Sequence, residues 1–203
     1  MLFSSLPYLR INEQVDRLIV LIPLGATEQH GPHLSVSADT DLVTSIATKA
    51  ESLLPDDILL CPTLPFGSSH HHLTFGGTLS ISISAYTQVL VELVECLWKN
   101  GFRRIVLQNG HGGNITPGKQ AMAILSHKYD YLRPNIAFAT YWELASRSFT
   151  GQPPMESPAL SHACEYETRR ACSCIYFPRR IFLNRSGALR GLKERVIYPS
   201  RMT

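Results

Sequence analysis

The amino-acid sequence has 203 residues, of which 44% are hydrophobic and 17% are charged, and its net charge is +3. This length suits one domain with a sizeable core, and the composition excludes an intrinsically disordered chain. Because no apolar run reaches the roughly 20 residues of a membrane helix and no basic-then-apolar leader opens the chain, we expect a cytoplasmic protein with no membrane partner.

Short apolar runs alternate with amphipathic segments along the chain. The predicted elements are strand 17–25, helix 39–54, strand 57–67, helix 84–100, strand 102–110, helix 116–130 and strand 135–143. Ser84 is a candidate cap for the second helix, and Gly101 stands where a C-terminal glycine belongs. This alternation predicts an α/β fold of three layers, with a mainly parallel sheet flanked by helices.

Histidine-rich clusters follow the first three predicted strands. EQHGPH comes after the first strand, GSSHHH after the second and NGHGGN after the third. Loops at the carboxyl ends of parallel strands lie at the same edge of a sheet, where α/β proteins build their active sites. We therefore expect the three clusters to converge in space.

Four residues of these loops form a candidate metal site. Glu28 and His30 share one face if the backbone stays extended there, Asp39 lies near the next helix start, and His111 follows the third strand. Two carboxylates and two imidazoles suit Zn²⁺, Mn²⁺ or Fe²⁺, and the two oxygens of Asp39 could bridge a pair of ions. A single loop histidine is more often structural, so the prediction depends on the convergence of the loops.

Four sequence blocks resemble those of the creatininase (creatinine amidohydrolase) family. They are PLGATEQHGPHLSVSADTD, PFGSSHHHLTFGGTLSIS, GFRRIVLQNGHGGN and SHACEYET, in the family's order. The resemblance implies a compact α/β fold, one or two divalent metal ions, hydrolysis of amides and a homo-oligomer, commonly a hexamer. By the same resemblance, Glu28, Asp39 and His111 match the ligands of one metal. His30 and Asp39 match ligands of the other, with Asp39 as the bridge.

The sequence departs from creatininase proper at Gly113, where that enzyme has a glutamate. The second ion therefore lacks a ligand, for which Glu167 is the first candidate and Glu165 the alternative. The glycine form resembles family branches that act on formamides or peptide-like substrates, so creatinine is not the expected substrate.

The predicted reaction is hydrolysis of a small-molecule amide at its carbon–nitrogen bond by a metal-activated water. His162 is the candidate acid/base, since the matching family position contacts substrate, and its alternative is a packed or capping histidine. Glu167 is a candidate for both a metal-binding and a catalytic role. Three residues are predicted to bind substrate: Ser69, His72 and Trp142. His71 is expected beside His72 in the pocket, and core packing is the alternative for Trp142.

The charge balance changes after the predicted hydrolase domain, residues 1–168. That domain carries 10 Lys+Arg and 15 Asp+Glu, a net charge of −5. Residues 169–203 carry 9 Lys+Arg and 1 Asp+Glu, a net charge of +8. Three interpretations of this basic tail compete: an altered or frameshifted terminus, a genuine variant that packs differently, and a nucleic-acid-binding arm. Nucleic acid is not the expected partner, because no recognised motif is present. If the tail is altered, the alternative function is that of a metal-binding protein whose catalysis is impaired or absent.

Overall fold

Four parallel strands form a sheet in the computed structural model of the chain, which describes residues 1–129, 136–144 and 162–168. The strands are β1 (Ile19–Leu24), β2 (Ile58–Leu60), β3 (Arg104–Asn109) and β4 (Ile136–Thr140). The helices are α1 (Tyr8–Asn12), α2 (Ala38–Leu53), α3 (Ile83–Lys99), α4 (Ile115–Lys128) and α5 (Tyr141–Leu144). Short 3-10 helices span Phe3–Ser5, His70–His72 and Gly112–Asn114. The predicted tail, residues 169–203, lies outside the described residues.

The strand order is β2-β1-β3-β4, and every neighbouring pair is parallel. In register, Val20 of β1 pairs with Leu59 on one side and with Ile105 on the other. The chain moves from β1 to β2 through α2, crosses back over β1 through α3, and reaches β4 through α4. The carboxyl ends of β1 and β3 are therefore adjacent, at the point where the order of strands reverses.

Alternate residues of β1 face opposite layers of helices, as the period of a strand requires. Val20 and Ile22 are buried in a core shared with α3 and α4, whereas Leu21 packs against Ala47 of α2. Each buried aliphatic side chain contributes roughly 1.5–3 kcal/mol of transfer free energy. The predicted three-layer α/β fold is confirmed.

Helix α3 illustrates how local sequence sets an element's ends. Its buried side chains recur at helical spacing: Tyr86, Leu90, Val91, Val94 and Leu97. The N-cap is Ser82, whose hydroxyl accepts a hydrogen bond from the Ala85 N–H at 3.3 Å, so the prediction that Ser84 caps this helix is wrong. Gly101 follows the last turn with φ of +100°, a left-handed conformation that glycine tolerates, which confirms its predicted place.

Two strands are shorter than their apolar runs predict. β2 ends at Leu60 because Pro62 has no N–H to continue the ladder. β4 ends at Thr140, so Trp142 lies in the short helix α5 and not in the strand predicted over 135–143. Among the described residues, none of the helices combines the length and the hydropathy that crossing a bilayer requires.

Candidate metal centre

The five predicted metal ligands lie together at the carboxyl edge of the sheet. The loop after β1 supplies Glu28 and His30, the first turn of α2 supplies Asp39, and the residues after β3 supply His111. Glu167 comes from a helical stretch at 165–168. All five side chains are buried, and the most exposed of them, Glu167, has 5% of its surface accessible.

These residues form two triads that share one aspartate. We call Glu28, Asp39 and His111 the first triad, and His30, Asp39 and Glu167 the second; in each, the candidate ligand atoms all lie within 4.8 Å of one another. Asp39 Oδ2 lies 2.9 Å from His111 Nδ1, and Asp39 Oδ1 lies 3.3 Å from His30 Nε2. The two oxygens of Asp39 therefore face different triads, which is the arrangement a bridging carboxylate needs.

Each triad histidine is oriented by a backbone carbonyl behind it. His30 Nδ1 lies 3.1 Å from the Glu28 carbonyl oxygen, and His111 Nε2 lies 3.2 Å from that of Ser68. A carbonyl can only accept, so each ring donates its outer N–H and turns the other nitrogen toward the carboxylates. Outer hydrogen bonds of this kind orient histidines that bind metals.

Several buried polar atoms of the triads have no hydrogen-bond partner within the described ranges. They are both carboxylate oxygens of Glu28, His30 Nε2, Asp39 Oδ2 and Glu167 Oε2. Asp39 Oδ2 lies 2.9 Å from His111 Nδ1, yet the pair lacks the angle of a hydrogen bond. Burying carboxylates without partners is costly, and a cation at the centre of each triad would offset that cost. The donors present, carboxylate oxygens and imidazole nitrogens, fit Zn²⁺, Mn²⁺ or Fe²⁺.

Electrostatic coupling between the triads appears in their pKa values. Burial raises the pKa of Asp39, but the contacts with His111 and His30 outweigh burial and hold the pKa at about 2. Burial lowers the pKa of His30, but Asp39 outweighs it and raises the pKa to about 9. Burial and the charge of Asp39 raise the pKa of Glu167 to about 7. Without a cation, the second triad therefore holds protons that a metal would displace.

The backbone at Gly113 leaves no space for a side chain. A Cβ atom there would lie 1.9 Å from the Ser68 carbonyl oxygen and 2.4 Å from His111 Nε2. The glutamate that the family resemblance places at this position could not be accommodated by this backbone. Glu167 lies instead beside His30 and Asp39, whereas the alternative, Glu165, is half-buried and belongs to neither triad among the described residues.

A cavity of about 390 Å³ opens onto the triads. Its lining includes Trp142, His71 and His162, together with Glu28 and Glu167. The Trp142 ring packs edge-on against Tyr141, with centroids 4.9 Å apart. His162 is partly exposed, with 32% of its side chain accessible, and its Nδ1 lies 3.2 Å from Glu28 Oε1. The predicted acid/base and the predicted aromatic contact thus both face the cavity.

The other two predicted substrate contacts lie beside the cavity lining. Ser69 is fully buried, and its hydroxyl lies 3.1 Å from His111 Nε2. His72 is half-buried in the 3-10 helix His70–His72, where its Nδ1 lies 3.0 Å from Gln29 Nε2. Direct contact of Ser69 and His72 with substrate stays a prediction.

Sequence reasoning missed three amides that hold the site together. Asn114 accepts from the Ser68 N–H and donates to the Gly25 carbonyl, each at 3.0 Å, and so connects the loops after β1 and β2 to α4. Asn109 donates a hydrogen bond to the His111 carbonyl and accepts one from the His111 N–H. Gln29 lies between the rings of His72 and His162. The signal was present in NGHGGN and EQH, where amides flank the histidines.

The proteins similar to this chain include two curated relatives and one solved structure. A mycofactocin precursor peptide peptidase from Mycobacterium tuberculosis is 40% identical over 116 residues, which cover 52% of this chain and 45% of that protein. A 3-dehydro-scyllo-inosose hydrolase from Thermotoga maritima is 29% identical over 184 residues, which cover 87% of this chain and 56% of that protein. A mutant creatininase of the Zn-Zn type has the same fold, with a TM-score of 0.70 and 21% identity over 82% of this chain and 69% of that one.

The similarity extends over most of the described elements. This chain spans about half the length of the two curated relatives. The family profile described as creatininase, creatinine amidohydrolase, matches residues 9–179, which include all four strands and both triads. The chain therefore belongs to the creatininase family.

Proposed function

We propose that this protein is a metal-dependent hydrolase that cleaves the carbon–nitrogen bond of an amide with an activated water molecule. The observation that carries the proposal is the pair of buried triads that share Asp39, with ligand atoms that no hydrogen bond satisfies in the described part of the chain. Membership of a family whose named relatives include a peptidase and a hydrolase supports the same chemistry.

The two triads would hold one divalent cation each, Zn²⁺, Mn²⁺ or Fe²⁺, with Asp39 as a ligand of both. When bound, such a cation supplies Lewis acidity, which polarises an amide carbonyl and lowers the pKa of water. Glu28 and Glu167 contribute the outer carboxylates, and the backbone carbonyls behind the two histidines keep the ligand nitrogens turned inward. The arrangement is preorganised, because these contacts exist before substrate enters.

His162 is the proposed proton carrier. Its ring lines the cavity, contacts Glu28 and remains partly open to solvent, so it can accept a proton from water and return it to the leaving nitrogen. Trp142, on the lining of the same cavity, is the proposed contact for the flat amide group of a substrate. Glu167 is the second proposed catalytic group, because it lines the same cavity as His162 and lies where a bound substrate would meet the second triad.

The proposed substrate is a small or peptide-like amide. The cavity of about 390 Å³ suits a small molecule or the end of a peptide. The lining residues that the structure describes include carboxylates and imidazoles but no lysine or arginine, which disfavours a substrate anchored through its own carboxylate. The relative with 40% identity, named as a peptide peptidase, points in the same direction. Assembly into a homo-oligomer stays a prediction.

Metal analysis paired with an amide screen tests the proposal. The purified protein is stripped with chelator, reloaded with Zn²⁺, Mn²⁺ or Fe²⁺, and assayed on short peptides, formamides and creatinine. We expect bound metal and hydrolysis to return together. Replacing Asp39 with asparagine keeps the shape but removes the bridging charge, so both triads should lose metal and activity should fall below detection.

The matched control is Asp41→Asn in the same turn of α2. Asp41 accepts a hydrogen bond from Ser37 and belongs to neither triad, so this variant should keep its metal and its activity. Full activity of the Asp39→Asn variant would contradict the assignment of the site. Full metal content with no hydrolysis of any amide would reject the hydrolase and favour a metal-binding protein without turnover.

A further inference from the structure

The Gln29 side chain lies between the rings of His72 and His162 at the edge of the cavity. Its oxygen, Oε1, accepts a hydrogen bond from the Gly31 N–H at 2.9 Å. A backbone N–H can only donate, so this contact determines which end of the amide is oxygen. The NH₂ end must therefore face the two imidazole rings.

Both hydrogens of that NH₂ group are directed at ring nitrogens. Gln29 Nε2 lies 3.0 Å from His72 Nδ1 and 3.1 Å from His162 Nε2. An amide NH₂ donates and does not accept, so both ring nitrogens must accept through lone pairs. The two rings lie 4.3 Å apart at 27°, which keeps both within reach of one amide.

The proton of each neutral ring must then lie on its other nitrogen. For His162 that nitrogen is Nδ1, which lies 3.2 Å from Glu28 Oε1 without the angle of a hydrogen bond. For His72 it is Nε2. The same amide thus selects opposite tautomers in the two histidines.

We propose that Gln29 is a positioning residue, which holds His162 as the Nδ1–H tautomer, with the Nε2 lone pair accepting from the Gln29 N–H, and His72 as the Nε2–H tautomer. The consequence for catalysis rests on the proposed hydrolase function, but the tautomers themselves do not. His162 Nε2 can take a proton from the attacking water, as the new carbon–oxygen bond forms, once the ring turns away from the Gln29 N–H. That proton passes to the amide nitrogen as the carbon–nitrogen bond breaks, and the ring returns to its neutral form.

The contact with Gln29 also favours transfer of the proton away from His162. Once His162 Nε2 carries a proton, two N–H donors face each other across the contact with Gln29. The ring cannot keep that contact, and transfer of the proton to the leaving nitrogen restores it.

Histidine tautomers are measured directly by long-range ¹H–¹⁵N correlation spectra of the full-length, zinc-loaded protein with ¹⁵N-labelled histidine. The signals are assigned with His72→Asn and His162→Asn. We expect a protonated Nδ1 with a bare Nε2 for His162, and the reverse for His72. A protonated Nε2 on His162 would overturn the proposal, as would loss of the His72 Nε2 proton when zinc is added.

The decisive variant is Gln29→Glu. It keeps the acceptor for Gly31 and the shape of the side chain, but it presents an oxygen to both rings, so His162 should bring a protonated Nε2 to it. Gln29→Met, which lacks a donor, should leave a mixture of tautomers. Gln88→Glu, on the exposed face of α3, is the matched control and should change neither spectrum. An unchanged His162 pattern in both Gln29 variants would overturn the proposal.

Kinetics separate this proposal from the proposed function. On any amide that the wild type hydrolyses, Gln29→Glu should lower kcat by about 10²-fold while KM and bound metal stay near the wild-type values. A large increase of KM at constant kcat would indicate substrate binding and contradict a role in proton transfer. If the wild type hydrolyses no amide but the tautomers change as expected, the hydrolase proposal fails and the tautomer assignment stands.

Discussion

Gly112 and Gly113 are neighbours in the sequence, yet the space around them differs completely. A Cβ atom on Gly112 would meet no atom within 4 Å, whereas one on Gly113 would collide with the backbone of Ser68 and the ring of His111. Backbone atoms cannot move aside as a flexible side chain can. Of these two neighbours, only Gly113 is therefore required to be glycine by the close approach of the loop after β2 to the loop after β3.

This contrast predicts opposite results for two small substitutions. Gly113→Ala should displace His111 from the first triad, so we expect lost metal and a decrease of at least about 1–3 kcal/mol in the free energy of unfolding. Gly112→Ala should change neither the metal content nor the free energy of unfolding. Metal content and denaturant unfolding of both variants check this expectation. Wild-type behaviour of Gly113→Ala would mean that the two loops are not packed as described.

Helix termini place chemistry and set element boundaries in this fold. α2 delivers Asp39 in its first turn, where the helix dipole favours a negative charge next to the ends of β1 and β3. Ser82 is the N-cap of α3, because its hydroxyl accepts from the Ala85 N–H, and the Ser84 hydroxyl lies 3.3 Å from the Ser82 hydroxyl. Two serines in the same turn thus have different roles.

The capping contact predicts unequal effects of two matched serine substitutions. Ser82→Ala removes the acceptor at the start of α3 and should cost about 1 kcal/mol of unfolding free energy. Ser84→Ala removes an exposed hydroxyl and should cost less than about 0.5 kcal/mol. Thermal or urea unfolding of the two variants measures the difference. A larger cost at Ser84 would support the cap that the sequence pattern favoured.

At the scale of the whole molecule, the candidate site connects distant parts of the chain. Its ligands come from the loops after two strands, from α2 and from the helical stretch at 165–168, which His33 also contacts through Thr168 at 3.0 Å. Without a cation, the centre buries three carboxylates, and protons held by the second triad offset part of their charge. Metal binding and global stability are therefore coupled, because the unfolded chain has no such site.

Removal of metal should lower the melting temperature. A ligand present at about a thousandfold its Kd stabilises a protein by about 4 kcal/mol, so chelator should lower Tm by several degrees and added Zn²⁺ should restore it. Differential scanning calorimetry with and without chelator checks this. The control is Asp39→Asn, whose Tm should respond neither to chelator nor to added Zn²⁺. A wild-type Tm that is insensitive to chelator would contradict coupling through the triads.

Local patterns in the sequence determined the order of elements and the edge of the sheet that carries the site. The alternation of apolar runs and amphipathic segments is a short-range signal, so the order of the four strands and three long helices was predicted. Their ends agree to within a few residues except at β2, which ends at Leu60 and not at residue 67. Glu28, His30, Asp39 and His111 could be singled out because they follow predicted strands or open a helix. Parallel strands then bring such residues to one edge regardless of sequence separation.

Only the tertiary structure decided how those residues face one another. The family resemblance proposed Glu167 as a replacement ligand, but its place beside His30 depends on packing between segments more than a hundred residues apart. The same is true of Ser69, which turned toward His111, and of Gln29, which turned between two rings. Periodicity reports which face a side chain occupies within its own element. The partner across a loop is set by long-range packing, which no local pattern encodes.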